Sequence, residues 1–129
     1  MNAAFPWAQL LAVALGSALG GVLRWAVQLW LNARWAGFPL GTLLVNCVGG
    51  LLIGIALAWF ARSPNELLRL LLVTGFLGGL TTFSAFTGES LTLLQRGDVG
   101  WALAHSAAHL LGALACCAIG FRLAKTLLA

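Results

Sequence analysis

Four long apolar segments, joined by links of a few residues, leave this chain essentially one class of fold. They run from about Phe5 to Leu31, Leu40 to Ala61, Leu67 to Leu94 and Trp101 to Ala124. Each has roughly 20 residues or more, enough for a helix to cross a hydrocarbon core of about 30 Å. Lipid offers the backbone no hydrogen-bond partner, so a spanning segment must satisfy itself as a helix. The links NARWAGFP, RSPNE and QRGDVG leave no room for a soluble domain. Only 8% of the 129 residues are charged, against about 25% in soluble domains. The expected fold is all-α: one four-helix transmembrane domain over residues 1–129, a multi-pass protein of a cell membrane.

The formal charge of +4 is spread over links and helix ends. That reads as membrane anchoring and excludes a nucleic-acid partner. Cys47, Cys116 and Cys117 lie inside apolar segments, odd in number and without framework spacing, and read as small core residues. No Lys or Arg precedes the first apolar run, so a retained first helix is expected in place of a cleaved signal.

The stretch from Gly75 to Glu89, GFLGGLTTFSAFTGE, breaks the apolar pattern. Gly75, Gly78 and Gly79 weaken a helix. Thr81, Thr82 and Ser84 can bond backbone groups that a broken helix sets free. Phe83 and Phe86 then fall on one side of a resumed helix. A membrane helix is interrupted where the break lines a cavity or packs in protein. The third helix is therefore expected to be broken near its middle.

Small residues recur at helical spacing as Gly16 with Gly20, Gly50 with Gly54 and Gly75 with Gly79, a pattern of close helix packing in lipid. The six tryptophans lie mostly near segment ends, as interfacial anchors do. Four spans put both termini on one side, with Arg62, Arg69, Arg122 and Lys125. Arg34 and Arg96 face the other, joined by Arg24 if it reaches that end. Such an even balance instructs orientation weakly, so dual topology and an antiparallel homodimer are expected. With a twofold axis in the membrane plane, the broken third helices would cross at that axis. Their freed carbonyls would face each other and suit a hard cation.

Five polar positions within the spans carry chemistry. Asn46 reads either as an interhelical hydrogen bond or as a donor lining an anion path. Arg24, inside the first segment, is a functional charge or snorkels to the interface. Glu89 caps, pairs with an arginine or stands at a pore mouth. His105 and His109 share one helix face, and either line a polar track, bond neighbouring helices or bind metal, for which two ligands are too few. The edges of Phe83 and Phe86 are weakly positive and can meet a small anion without holding it. An enzyme is not expected: no paired carboxylates share a helix, and Ser106 points away from the face of His105.

The motifs GSALGGVLRW, FPLGTLLVNCVGGLLIG and GFLGGLTTFSAF, in that order, resemble the Fluc fluoride channels, also called the CrcB family. The resemblance covers most of the chain. It implies a passive fluoride channel that expels cytoplasmic fluoride across the bacterial inner membrane, reducing its toxicity. It also implies an antiparallel homodimer with two pores and a structural sodium ion at the dimer centre. At matching positions the carbonyls of Gly78 and Thr81 would hold that sodium. Phe83 and Phe86 would line the fluoride pores, Asn46 would donate to the ion, and Thr82 and Ser84 would add hydroxyls. Arg24 and Glu89 match vestibule charges. The fourth helix departs from the pattern, since His105 and His109 stand where members carry track hydroxyls and Ala113 has none. Two rival functions are a small dual-topology multidrug exporter and a membrane metal-binding protein using the histidines and a cysteine. The first is opposed by the lack of any Asp or Glu between Phe5 and Leu31.

Overall fold

The computed structural model describes residues 5–35 and 37–129; Ala36, in the first link, lies outside the described residues. Among the described residues four helical spans run Trp7–Arg34, Leu40–Arg62, Glu66–Gln95 and Val99–Leu127, each long and apolar enough to cross a bilayer. The protein is an all-helical, multi-pass membrane protein. The first span is helix α1 (Trp7–Leu31) closed by a 3-10 turn, Asn32–Arg34. The second is α2 (Leu40–Arg62). The third is built in pieces: α3 (Glu66–Arg69), a π-helical stretch (Leu70–Leu77), one further turn α4 (Gly78–Leu80), and, after a break, α5 (Phe83–Gln95). The fourth is α6 (Val99–Leu127).

Polar side chains at the ends take up helix-terminal backbone groups. The Gly41 N–H donates to Asn32 Oδ1 (2.7 Å), and the Leu68 N–H donates to Asn65 Oδ1 (3.0 Å). Helix α5 ends at Gly97, whose φ of +81° is left-handed. There the Gly97 and Asp98 N–H groups turn back to the carbonyls of Leu94 and Leu93, both at 3.0 Å. This 5→2 and 6→1 pair closes the helix and sends the chain into α6.

The spans pack as two close pairs, α1 with the third span and α2 with α6. Glycines make both approaches possible. A Cβ on Gly16 or Gly20 would strike the backbone of Leu71, Phe76 or Leu80, and one on Gly79 would strike Ser17 and Gly21. Likewise Gly50 and Gly54 lie on the backbone of Ala113 and Cys117, and Gly120 on that of Leu51. Lipid supplies no hydrophobic drive between helices, so such backbone contact carries the packing. Leucines such as Leu15, Leu19, Leu103 and Leu123 are exposed on the outside of the bundle.

One sequence expectation changes in its physical cause. Gly75, Gly78 and Gly79 all stay helical. The helix stops at Thr81 and Thr82, whose backbones are extended (φ/ψ −83°/154° and −150°/119°). Gly75 and Gly79 instead serve the approach to α1. Before the break the third span lies along α1; after it, α5 lies along α6.

Candidate functional site

Asn46 is the residue around which the break is arranged. Its Oδ1 accepts the Thr82 N–H (2.8 Å), and its Nδ2 donates to the Thr82 carbonyl (3.0 Å). In a continued helix the Thr82 N–H would bond to the Gly78 carbonyl. The asparagine takes that donor, so Gly78 loses its helical partner. Thr82 then starts the next helix, its Oγ1 accepting the Ala85 N–H (3.1 Å) and lying 3.2 Å from Ser84 Oγ. Thr81 is held to the Leu77 carbonyl by its N–H (2.9 Å) and its hydroxyl (2.8 Å). Arg24 comes to the same break from α1, its Nε donating to the Gly79 carbonyl (2.9 Å).

Beyond the break, Phe83 and Phe86 meet edge to face, 5.3 Å between centroids. Phe83 points off the chain at 77% exposure. Phe86 lies against both histidines, 5.5 Å from His105 and 4.7 Å from His109, and the two imidazoles are 4.4 Å apart. A cavity of about 560 Å³ runs beside these groups, bordered by Asn46, Gly78, Thr81, Phe83, Phe86 and His109.

A file of hydrogen bonds leads away from the cavity. His109 Nδ1 faces Asn46 Nδ2 at 3.0 Å. His105 Nε2 is 3.2 Å from Glu89 Oε2, and its Nδ1 is 2.8 Å from Ser90 Oγ. The other Glu89 oxygen accepts from the Thr42 hydroxyl, which accepts from Gln28 Nε2 (3.0 Å). Ser106 Oγ lies 3.4 Å from Ser90 Oγ. Glu89 also borders a smaller cavity of about 150 Å³ with Asn32, Trp35, Thr92 and Arg96. The aromatic group Trp35, Phe38 and Trp101 closes over this end, Phe38 sitting 5.2 Å from the His105 ring.

The structure thus brings Asn46, Thr82, Ser84, Phe83, Phe86, His105, His109 and Glu89 into one continuous region, with Gly78 and Thr81 on its border. Arg24 stands apart from the histidine file, on the far side of the break. Among the described residues Glu89 bonds to a histidine and a threonine and pairs with no arginine, so that one of its three expected roles is not realised. Glu89, His105 and His109 also form a cluster whose ligand atoms all lie within 4.8 Å of one another, so a carboxylate, and no cysteine, completes the histidine pair.

Gln28, Thr42 and Ser90 were not singled out from the sequence, and Ser106 was weighed only against catalysis. Helical spacing held a signal for two of them. Thr42 precedes Asn46 by four residues and Gln28 follows Arg24 by four, so each shares a face with a residue already marked.

Residues 11–121 match the family described as CrcB-like protein, Camphor Resistance (CrcB). The chain is 52% identical over 110 residues to a protein of Pseudomonas aeruginosa named "Fluoride-specific ion channel FluC", covering 84% of this chain and 87% of that one. It is 50% identical over 123 residues to one of the same name from Aromatoleum aromaticum, covering 94% of each. A third of that name, from Pseudomonas paraeruginosa, is 53% identical over 110 residues, covering 84% of this chain and 87% of its own. The matched stretch takes in the break, the asparagine that holds it and both histidines, and the chain belongs to the CrcB-like family.

Proposed function

We propose that this chain forms a passive, fluoride-selective channel that releases cytoplasmic fluoride through the bacterial inner membrane and so limits fluoride toxicity. The observation that carries this reading is the asparagine-held break, with two phenyl rings and a file of hydrogen-bond donors beside it. Relatives named as fluoride-specific ion channels support it.

Fluoride is small and strongly hydrated, and a pore must replace its water with donors at close range. Ring edges of Phe83 and Phe86, hydroxyls of Thr82 and Ser84, and the unpartnered His109 Nε2 offer that without a fixed positive charge. Weak contacts of this kind let the ion leave again, and a narrow path rejects chloride by size. Both amide protons of Asn46 are engaged, by Thr82 and His109. This supports a role for Asn46 in shaping the path as well as lining it. Arg24, bonded to Gly79, would hold the break from the vestibule side. Glu89 would orient His105 and stand at the path's outer end.

The reading includes an antiparallel homodimer with two pores. The exposed Phe83 and the cavity at the break form a face that a second copy would complete. Gly78, exposed on that face and short of its helical partner, fits a sodium ion with Thr81. Carbonyl oxygens are the donors that such a hard cation takes, and two copies would supply four. Sodium there would tie the two breaks together.

Fluoride efflux from liposomes carrying the purified protein, followed with a fluoride electrode, tests the function. Rapid fluoride release without chloride release is expected; well-folded dimer that releases neither would overturn it. Tags on the C-terminus should be reached by membrane-impermeant reagents from both faces of the cell membrane. Labelling from one face alone would rule out dual topology. Glu89→Gln should preserve the dimer but slow efflux about tenfold, because a hydrogen bond to a charged group contributes on the order of 1.5–3 kcal/mol. Unchanged efflux would remove Glu89 from any part in the path.

A further inference from the structure

The Glu89, His105 and His109 cluster has the spacing of a metal site, yet its proton arrangement argues for a different ligand. The orientation of the Asn46 amide is decided by Thr82 alone. The Thr82 N–H needs an acceptor, which only Oδ1 provides, and the Thr82 carbonyl needs a donor, which only Nδ2 provides. Turning the amide over would lose both bonds. The remaining Nδ2 proton faces His109 Nδ1 at 3.0 Å. An amide NH₂ donates and does not accept, so Nδ1 must hold its lone pair there. In the neutral ring the proton then sits on Nε2. That Nε2 is buried and has no hydrogen-bond partner among the described residues, on a side chain only 4% exposed.

We propose that Asn46 is a positioning residue that fixes the His109 tautomer, leaving Nε2–H as a buried donor for a small anion and leaving no ring nitrogen of His109 free for a divalent metal ion. The first consequence rests on the fluoride-channel reading; the tautomer itself does not. A protonated Nε2 has no lone pair for a metal and the Nδ1 lone pair is taken by the Asn46 amide, so neither nitrogen is free although the cluster's ligand atoms lie within 4.8 Å of one another. An unpartnered buried donor is costly alone and is relieved by an acceptor. Fluoride is such an acceptor, and it is small enough to approach a single buried N–H closely. Asn46 therefore does for His109 what a carboxylate does for a metal-binding histidine, with the opposite sign. A carboxylate draws the proton to the near nitrogen and frees the far one to ligate.

Asn46→Asp makes the test. Its carboxylate can still accept the Thr82 N–H, but toward His109 it accepts where the amide donated. Nitrogen-15 NMR of histidine-labelled full-length protein in bilayers reads the tautomer, the His109 signals being assigned by their loss in His109→Asn. Wild type should show protonated Nε2 and non-protonated Nδ1, and Asn46→Asp the reverse. Calorimetric titration with Zn²⁺ should show Asn46→Asp binding one ion per chain at least about 10–100-fold more tightly than wild type, the range that such a partner commands.

Protonated Nδ1 in wild type overturns the proposal. So does zinc binding by wild type that is lost in His109→Asn, or a folded Asn46→Asp protein with the tautomer unchanged. If Asn46→Asp does not fold, the wild-type spectrum and zinc titration still decide. A protein with the expected tautomer that passes no fluoride would lose the channel reading and keep this one.

Discussion

Gly54→Val is expected to remove folded protein from solution. A Cβ at this position would meet the backbone of Cys117 and lie 2.8 Å from the Phe121 nitrogen. These are backbone atoms of a packed helix, so no rotamer change relieves the overlap. Overpacking typically costs about 1–3 kcal/mol when side chains can adjust, and more when they cannot. In lipid there is no compensating gain from burying the extra methyls against another helix. Separating α2 from α6 would also carry Asn46 away from His109, and Thr42 away from the Glu89 file. Monodisperse protein on size-exclusion chromatography in detergent is the readout. Gly100→Ala is the control, since a Cβ there meets nothing within 4 Å, and it should elute like wild type. A Gly54→Val protein with wild-type elution and melting would show that this close approach does not hold the bundle.

Asn46→Leu should slow fluoride release severely while leaving a helical, membrane-inserted chain. Leucine resembles asparagine in shape but offers no polar atoms. It leaves the Thr82 N–H, the Thr82 carbonyl and His109 Nδ1 without the partners they have now. A buried group stripped of its partner costs roughly 1–3 kcal/mol. The cheapest repair is for the Thr82 N–H to return to the Gly78 carbonyl, healing the helix across the break. That would occupy the carbonyl that the break leaves without a helical partner and turn Phe83 and Phe86 out of register with the histidines. Release in liposomes should fall on the order of 100-fold, the factor that about 2.8 kcal/mol represents. Release near the wild-type rate from well-folded Asn46→Leu would show that the clamp on Thr82 is dispensable for the path.

The fold could be read largely from hydropathy, because lipid leaves a spanning backbone few other options. Four apolar segments therefore announced four spanning helices. The third segment announced its own interruption, since glycines and hydroxyls have little reason to crowd an uninterrupted membrane helix. The reason assigned to the glycines was incomplete. Helix propensity is a property of one residue, and it pointed to Gly75, Gly78 and Gly79 as the break. Whether a glycine loosens its own helix or admits a neighbour depends on what lies opposite. Opposite Gly75 and Gly79 lies α1, with Gly16, Ser17 and Gly21 at backbone distance.

The site was legible residue by residue and not as a network. Asn46, Glu89, His105 and His109 stood out because polar groups are costly in an apolar segment. Each left two or three roles open, because a side chain's partner is not written in its own segment. Asn46 and Thr82 are 36 residues apart, Glu89 and His105 16, and Arg24 and Gly79 55. Gln28, Thr42 and Ser90 passed unnoticed, being common polar residues whose meaning lies wholly in what they touch.

By itself, the sequence determined an integral membrane protein of four spans, an interruption in the third, and an inventory of donors unlike that of a soluble enzyme. Those properties follow from the cost of moving each residue from water into lipid, which is a local quantity. Only the tertiary structure decided where the break falls, which carbonyl loses its partner, and which histidine nitrogen meets the Asn46 amide. Those depend on one amide being held from both sides by a backbone 36 residues away. Hydrogen bonds are directional and paired, so their outcome exists only once the helices have met.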